Sequence, residues 1–306
     1  MGEAPNRESR GPMADNTDRR EFLKRCAVGT AAAGFGAAGC SESGPVAGSE
    51  AGTGSGGRPF AEAWSSAKSQ GREWEEARGQ FLLEPGYTYF NTGGLGPSPR
   101  PVIQALDQAW RRLELRCETG HGERAGIRTQ AAAFLGCQED ELAFTRSATE
   151  GMNLVARGLD LREGDEVLMT THEHPGGALP WFGVREREGI RIRTFEPGAG
   201  GEDTLNRLAA AITDRTRVVM VCHITCTEGS VFPVEEVADL CRQRDIVSVI
   251  DGAQAPGQIP VDLHALGCDF YVASGHKWML GPKGTGFLFV RDEWLDRWRP
   301  SYVGAY

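Results

Sequence analysis

A lysine and an aspartate that each follow an apolar stretch are the residues of this chain best suited to chemistry. Lys277 comes after the run 270–273, within Ser-Gly-His-Lys-Trp, and Asp251 ends the run 246–250. A lysine amine can form an imine with an aldehyde. A buried carboxylate can hold a proton on a pyridine nitrogen, and these are the two protein groups that pyridoxal 5'-phosphate (PLP) chemistry requires. The order and context of the pair therefore predict a PLP site.

A helix start that carries hydroxyl groups could bind the phosphate of such a cofactor. Ser147 precedes Ala148 and Thr149, so the first turn offers side-chain hydroxyls and unpaired backbone N–H groups to an anion. Ser147 and Glu150 also have the spacing of a capping box. Both interpretations hold together, because a capped helix end can still face an anion. The helix dipole contributes about 0.3–2 kcal/mol and so only assists the contact.

A histidine after the first strong strand pattern allows two interpretations. His174 lies in Thr-His-Glu-His-Pro, directly after the strand predicted over 166–170. Its ring could stack on the face of a pyridine. The alternative is a metal pair with His172, but alternate residues of an extended segment point to opposite sides, which makes a poor chelate. A third ligand with useful spacing is not evident in the sequence.

A second histidine motif follows the strand predicted over 217–221. The hydroxyl of Thr225 could reach the phenolic oxygen of the cofactor from this strand end, beside His223. Cys222 and Cys226 bracket the two residues, so a Cys-His-Cys metal site is the alternative. Three ligands so close in sequence would be strained without partners from elsewhere in the chain.

Helical and extended patterns alternate from about residue 60 onward. Apolar spacing predicts helices over 99–116, 122–137, 147–159, 204–213 and 233–244, and strands over 166–170, 190–195, 217–221, 246–250 and 270–273. Near-continuous apolar strands separated by helices predict an α/β fold, in which helices sandwich a mainly parallel sheet. Ligands of such folds bind at the carboxyl ends of the strands, where the candidate residues lie.

Composition restricts the classes of partner. The formal net charge is −9, which argues against nonspecific binding of nucleic acid. No apolar run has the length of an ordinary membrane-spanning helix.

Two of the eight cysteines lie in the N-terminal leader, and the other six are scattered. We interpret these six mainly as small buried hydrophobic residues, and a disulfide in an exported protein stays open as an alternative.

The first 59 residues have the composition of an export signal followed by a flexible linker. Residues 1–40 resemble a twin-arginine export signal, with Arg19 and Arg20 before Phe-Leu-Lys and then an Ala/Gly-rich stretch. Cys40 could be a lipoprotein processing site, with simple signal cleavage as the alternative. Residues 41–59 read as a Gly/Ser-rich linker, which leaves 60–306 for the folded domain. We therefore expect an exported protein, periplasmic or held to the membrane by a lipid on Cys40.

Taken together, these motifs resemble the class V aminotransferase family of PLP-dependent enzymes, and most closely its isopenicillin N epimerase-like and cysteine desulfurase-like branch. The resemblance covers roughly 81–303 and includes the segment 89–96, which is similar to the branch's segment near the substrate. The positions that match the family's cofactor contacts are Ala148, Thr149, His174, Thr225, Asp251, Gln254, Ser274, His276 and Lys277.

The resemblance implies a fold-type I large domain and a role for each matching residue. Lys277 would form the Schiff base, Asp251 would pair with the pyridine nitrogen, and His174 would stack on the ring. Thr225 and Gln254 would contact the ring oxygen. The phosphate would be held by Ala148, Thr149, Ser274 and His276. The implied enzyme is a homodimer that acts on an amino acid or amine, as a transaminase, an epimerase or a lyase of desulfurase type.

The sequence also departs from the family pattern. Lys277 lies close to the last residue, Tyr306, so the C-terminal small domain, which carries the arginine for a substrate carboxylate, is expected to be missing. A Gly-Thr phosphate contact across the dimer likewise has no counterpart. A non-catalytic or truncated PLP-binding fragment is therefore the alternative function. A more distant one is a metal-dependent α/β hydrolase that uses His172, His174 and His223.

Overall fold

The computed structural model describes residue 65 and residues 68–301. The predicted signal over 1–40 and linker over 41–59 lie outside these residues. The helices are α1 (Glu73–Gly79), α2 (Arg100–Arg116), α3 (Arg124–Leu135), α4 (Ala148–Gly158), α5 (Pro175–Glu188), α6 (Gly201–Ala211), α7 (Val234–Gln243), α8 (Leu263–Leu266) and α9 (Asp292–Leu295). The strands are β1 (Leu142–Thr145), β2 (Glu166–Thr170), β3 (Arg191–Phe195), β4 (Thr216–Cys222), β5 (Val247–Asp251), β6 (Phe270–Ser274) and β7 (Gly286–Val290).

The strands form one seven-stranded sheet in the order β1-β7-β6-β5-β4-β2-β3. Five of the strands, β6, β5, β4, β2 and β3, run parallel to one another. Strand β7 is antiparallel to both β6 and β1. Strand β5 is therefore central, and its carboxyl end lies beside those of β4 and β6. This arrangement gathers the residues that follow the parallel strands at one edge of the sheet.

Helices cover both faces of the sheet. On one face, Met152 of α4 and Trp181 of α5 pack in a cluster with alternate residues of the central strands. On the other face, Leu135 of α3, Leu208 of α6 and Val237 of α7 pack against the intervening strand residues. Burial on both faces explains why these strands are almost continuously apolar. The predicted α/β architecture, a mainly parallel sheet between helices, is confirmed.

The predicted elements are present, with corrections at several boundaries. The helix predicted over 122–137 begins with a 3₁₀ turn, His121–Glu123, and ends before Gly136. The helix predicted over 204–213 begins three residues earlier, because Glu202 and Asp203 complete its first turn. Sequence patterns missed α5, which contains an internal proline, and they missed the antiparallel pair β1 and β7.

The helix predicted over 99–116 forms as α2, but its apolar stripe is not covered. None of its residues is buried, and Trp110 is 66% exposed. Among the described residues, no helix has the length and apolar character needed to cross a membrane.

The six described cysteines are free thiols. Cys222, Cys241 and Cys268 are buried, as expected of small hydrophobic residues, whereas Cys117 and Cys226 are exposed. The interpretation of the cysteines as core residues is therefore wrong for these two.

Helix α4 should be held in place chiefly by Met152, which is fully buried against the sheet. Met152→Ala should lower the free energy of unfolding by about 2–5 kcal/mol, because it removes buried apolar surface and leaves a cavity. Arg157→Ala, at an exposed position of the same helix, should change it by less than about 0.5 kcal/mol. Urea denaturation followed by circular dichroism measures both, and equal losses would contradict this packing.

Candidate cofactor site

Asp251 ends the central strand and is buried. Its Oδ1 accepts a hydrogen bond of 3.0 Å from the backbone N–H of Ala253, and the side chain is only 5% exposed. The first turn of α5 packs directly on the carboxylate. A methyl group at Gly177 would lie 2.6 Å from Oδ2 of Asp251, so only glycine allows this approach. The carboxylate is therefore held beside the positive end of a helix dipole.

Lys277 lies in the turn that follows β6, beside Asp251. Burial lowers the pKa of its amine, and the charges of Asp251 and Cys226 partly oppose this shift. A lowered pKa increases the fraction of neutral, nucleophilic amine near pH 7. Because β5 and β6 are neighbouring parallel strands, the strand order brings the two predicted groups to the same edge of the sheet.

His174 is the N-cap residue of α5. Its Nδ1 accepts a hydrogen bond of 3.0 Å from the backbone N–H of Gly176. A nitrogen that accepts carries no hydrogen, so the neutral ring has its hydrogen on Nε2. Burial lowers the pKa of His174, while Asp251 acts to raise it and Lys277 to lower it. The cap therefore fixes both the orientation and the tautomer of a neutral imidazole close to Asp251 and Lys277.

The start of α4 meets the end of β6. The hydroxyl of Ser274 accepts a hydrogen bond of 3.1 Å from the backbone N–H of Ala148, and that of Ser147 accepts one of 3.2 Å from Glu150. The hydroxyl of Thr149 reaches the first turn of α5, since a methyl group at Gly176 would lie 2.4 Å from its Oγ1. Two helix N-termini thus converge beside Ser274, an arrangement that favours an anion.

His276 follows Ser274 in the same turn. Its Nδ1 donates a hydrogen bond of 3.0 Å to the carbonyl oxygen of Thr285, because a carbonyl can only accept. Nε2 then carries a hydrogen only when the ring is protonated. His276 could therefore donate to an anion as an imidazolium.

Three residues that the sequence placed near the site form side-chain hydrogen bonds within the protein. Thr225 is buried, and its hydroxyl oxygen accepts a hydrogen bond of 3.0 Å from Ser230 within a tight turn. The amide of Gln254 bonds to the 89–96 loop and to Trp278. His223 lies at the expected strand end, but its Nδ1 is 2.9 Å from the hydroxyl of Tyr271, which packs on the sheet face opposite Asp251.

The three histidines of the distant metal alternative do not assemble. The ring of His172 lies 3.5 Å from a carboxylate oxygen of Glu196, whereas His174 caps α5 and His223 contacts Tyr271. Within the part of the chain that the structure describes, no group of three or more His, Cys, Asp or Glu side chains is arranged to hold a metal ion.

Sequence reasoning missed the role of Glu173. Its side chain is 2% exposed, and its Oε1 accepts hydrogen bonds from the hydroxyl of Thr170 at 2.7 Å and the backbone N–H of Cys222 at 3.2 Å. These bonds join the ends of β2 and β4 beneath the site. Burial raises the pKa of Glu173 to about 8, with a further contribution from the charge of Asp251. The available signal was a carboxylate between two histidines, three residues after a strand with an apolar centre.

Because the pKa of Glu173 is raised in the native state, we expect the free energy of unfolding to depend on pH. The native carboxyl keeps its proton up to about pH 8, whereas the unfolded one loses it near 4.5. Native stability therefore falls as the pH rises between these values, by at most about 1.4 kcal/mol per pH unit. Glu173→Gln cannot ionise, so its free energy of unfolding should rise relative to wild type over this range and level off above it.

Denaturant titrations between pH 5 and 9 measure this difference. Glu188→Gln, at the exposed end of α5, serves as the control and should follow the wild-type pH dependence. A Glu173→Gln curve parallel to wild type at every pH would show that Glu173 is not held neutral.

Comparison with known proteins places this geometry in a family. Residues 99–306 match the model of the class V aminotransferases. Isopenicillin N epimerase of Amycolatopsis lactamdurans is 33% identical over 75% of this chain and 60% of its own length. A probable cysteine desulfurase of Methanothermobacter thermautotrophicus is 32% identical over 76% of this chain and 60% of its own. The chain thus spans about 60% of the length of the curated relatives it matches.

Solved structures share the fold. The apo cysteine desulfurase of Thermococcus onnurineus NA1 superposes with a TM-score of 0.69 at 28% identity, over 76% of this chain and 60% of that one. A C-DES mutant with glycine covalently linked to its PLP cofactor has a TM-score of 0.69 at 30% identity, over 74% and 62%. The match to the family model and these similarities show that the chain belongs to the class V aminotransferase family, whose cofactor is PLP.

Proposed function

We propose that this chain binds PLP at the carboxyl ends of β5 and β6 and belongs to an enzyme that acts on an amino acid or amine. The observation that carries the proposal is the placement of Lys277, in the turn after β6, at the same sheet edge as the buried carboxylate of Asp251, which ends the neighbouring strand β5. The residues present fit the cofactor: an amine, a carboxylate, a neutral imidazole and two converging helix N-termini match its aldehyde, ring nitrogen, ring face and phosphate.

When bound, PLP supplies an aldehyde that takes up amines and a ring that accepts electron density from the substrate α-carbon. Lys277 would hold the cofactor through its amine and, when freed by a substrate amine, would accept the proton of the α-carbon as general base. The charge of Asp251 holds the proton on the ring nitrogen. His174 fixes the plane of the ring because α5 locks its imidazole.

The phosphate would occupy the space between α4, α5 and the turn after β6. Ser274 keeps its hydroxyl hydrogen for an anion, since its oxygen accepts from Ala148. Thr149 offers an exposed hydroxyl at the first turn of α4. His276 would donate through Nε2 in its protonated form, because Nδ1 is already committed to Thr285. Thr225 and Gln254 are proposed to contact the ring oxygen through the hydrogens that their structural bonds leave available.

The substrate class follows from the shared first step. Relatives named as an epimerase, at 33% identity, and as desulfurases, at 30–38% identity, both match this chain. Transamination, epimerisation and elimination of desulfurase type all begin with loss of the α-proton, which Lys277 is placed to accept. We therefore propose an amino acid or amine substrate and a homodimeric enzyme of this branch.

Lys277→Ala should abolish the covalent attachment of PLP. Wild-type protein mixed with PLP should develop a visible absorbance band, and borohydride reduction should leave a phosphopyridoxyl group, the mass of PLP less one oxygen atom, on the peptide that contains Lys277. Lys283→Ala is the matched control, because Lys283 is an exposed lysine in the turn that follows, and it should behave as wild type. Absence of PLP uptake by wild type, or an undiminished band in Lys277→Ala, would refute the proposal.

We also propose, from the sequence alone, that the protein is exported by the twin-arginine route and that Cys40 is a candidate for lipidation. The pathway carries folded proteins, which suits a cofactor inserted before export. Replacing Arg19 and Arg20 by lysine preserves the charge and removes the paired guanidinium groups. We expect this variant to accumulate unprocessed inside the cell, as judged by fractionation and immunoblotting. The matched control is Arg25→Lys, and equal export of both variants would contradict this route.

A further inference from the structure

The side-chain amide of Gln254 is a bridge between two distant parts of the chain. Its Nε2 donates a hydrogen bond of 2.9 Å to the carbonyl oxygen of Gly93, and its Oε1 accepts one of 2.7 Å from the indole Nε1 of Trp278. Gly93 belongs to the 89–96 loop, and Trp278 directly follows Lys277. The bridge therefore ties the loop to the turn that carries the reactive lysine.

The 89–96 loop is itself an ordered unit. The hydroxyl of Tyr89 lies 2.9 Å from the carbonyl oxygen of Asn91 and 2.6 Å from that of Leu95, so it closes the loop from within. The backbone N–H of Gly94 donates to the side-chain oxygen of Asn91 at 3.0 Å. A bond made at Gly93 therefore positions the whole loop and not a single residue.

The loop also contacts the backbone of the lysine turn. The N–H of Gly96 donates a hydrogen bond of 2.7 Å to the carbonyl oxygen of His276. A methyl group at Gly96 would lie 2.0 Å from the carbonyl oxygen of Lys277, so the two segments approach as closely as glycine permits. Small displacements of the loop should therefore change how well Lys277 is shielded from water.

We propose that Trp278 and Gln254 are a positioning pair, which holds the 89–96 loop against Lys277 and so sets the space in which an amine substrate meets the lysine. This inference rests on the proposed function only in taking Lys277 as the reacting amine. It is compatible with a cofactor contact by Gln254, because the amide keeps one hydrogen on Nε2 and one lone pair on Oε1. Trp278 thereby gains a function that its sequence position does not reveal.

Trp278→Phe tests the pair, since it keeps an aromatic ring and removes the indole donor together with one fused ring, a loss that the control below shares. Loss of one hydrogen bond of ordinary net strength should increase local opening of the loop roughly fivefold. Hydrogen exchange of the peptide that covers 89–96, read by mass spectrometry on the full chain without PLP, measures this opening. The expected result is faster exchange in this peptide.

Trp294→Phe is the matched control. The indole Nε1 of Trp294 donates a bond of 2.8 Å to Asp269, beyond the opposite ends of the strands, so the same chemical change is made away from the loop. Exchange over 89–96 should stay at the wild-type rate in this variant. Wild-type exchange in Trp278→Phe, or an equal increase in both variants, would overturn the proposal.

A second variant covers the case in which Trp278→Phe does not fold. Gln254→Met removes both bonds of the bridge, so by itself it should speed exchange over 89–96, and wild-type exchange in this variant would overturn the proposal. When Trp278→Phe folds, the double variant should exchange no faster than Gln254→Met alone. Additive effects of the two substitutions would show that the bonds act separately and would overturn the pair.

The pKa of Lys277, measured from its reactivity over a range of pH, is a second test. A pair that only stabilised the fold would leave this pKa unchanged. Burial lowers the pKa of this amine, so water admitted by a loosened loop should raise it toward the ordinary value. Competitive acetylation of the PLP-free protein, quantified at Lys277 over a range of pH, should show this rise in Trp278→Phe and not in Trp294→Phe. An unchanged profile in both would overturn the link to Lys277. Because neither measurement uses PLP, failure of the proposed function would be seen separately, as absent cofactor uptake.

Discussion

The negative charge of Asp251, buried at the end of the central strand, acts on the ionisable groups that face it. It contributes to a raised pKa of Glu173, and it opposes the effect of burial at His174 and Lys277. A second ionised carboxylate beside it would be costly in so little water, and burial together with the charge of Asp251 accordingly raises the pKa of Glu173 to about 8. The protonation states of the site are therefore linked, and Asp251 is the group that links them.

The site also depends on close contact between the backbone at the start of α5 and the side chains around it. Helix α5 can place its positive end on Asp251 and its N-cap imidazole beside Lys277 only because Gly176 and Gly177 lack side chains. The same helix start meets Thr149 at the beginning of α4. Two helix dipoles and one carboxylate are thus fixed by packing rather than by flexible side chains, which favours a preorganised site.

Much of the fold was predictable because its determinants are local or periodic. Continuous apolar runs predicted the parallel strands, and the residues after them, such as Lys277 and Asp251, could be assigned to one edge. The antiparallel strand Leu142–Thr145 is short and partly exposed, so it gives no comparable signal. The face on which His223 lies depends on register, since Cys222 pairs with Asp251 and the next side chain points the other way. Bridges such as Gln254 to Gly93 join residues too distant for any sequence pattern.

The two halves of the site are held by different kinds of force, and this difference bears on how one family supports several reactions. The groups proposed to hold the cofactor sit on strand ends and helix starts that are packed into the core. The 89–96 loop is held against Lys277 largely by hydrogen bonds, two of which run through the amide of Gln254. A change of one side chain can move the loop without disturbing the sheet. The space in front of Lys277 is therefore the part of the site most easily altered, which suits a family whose members are named for different reactions.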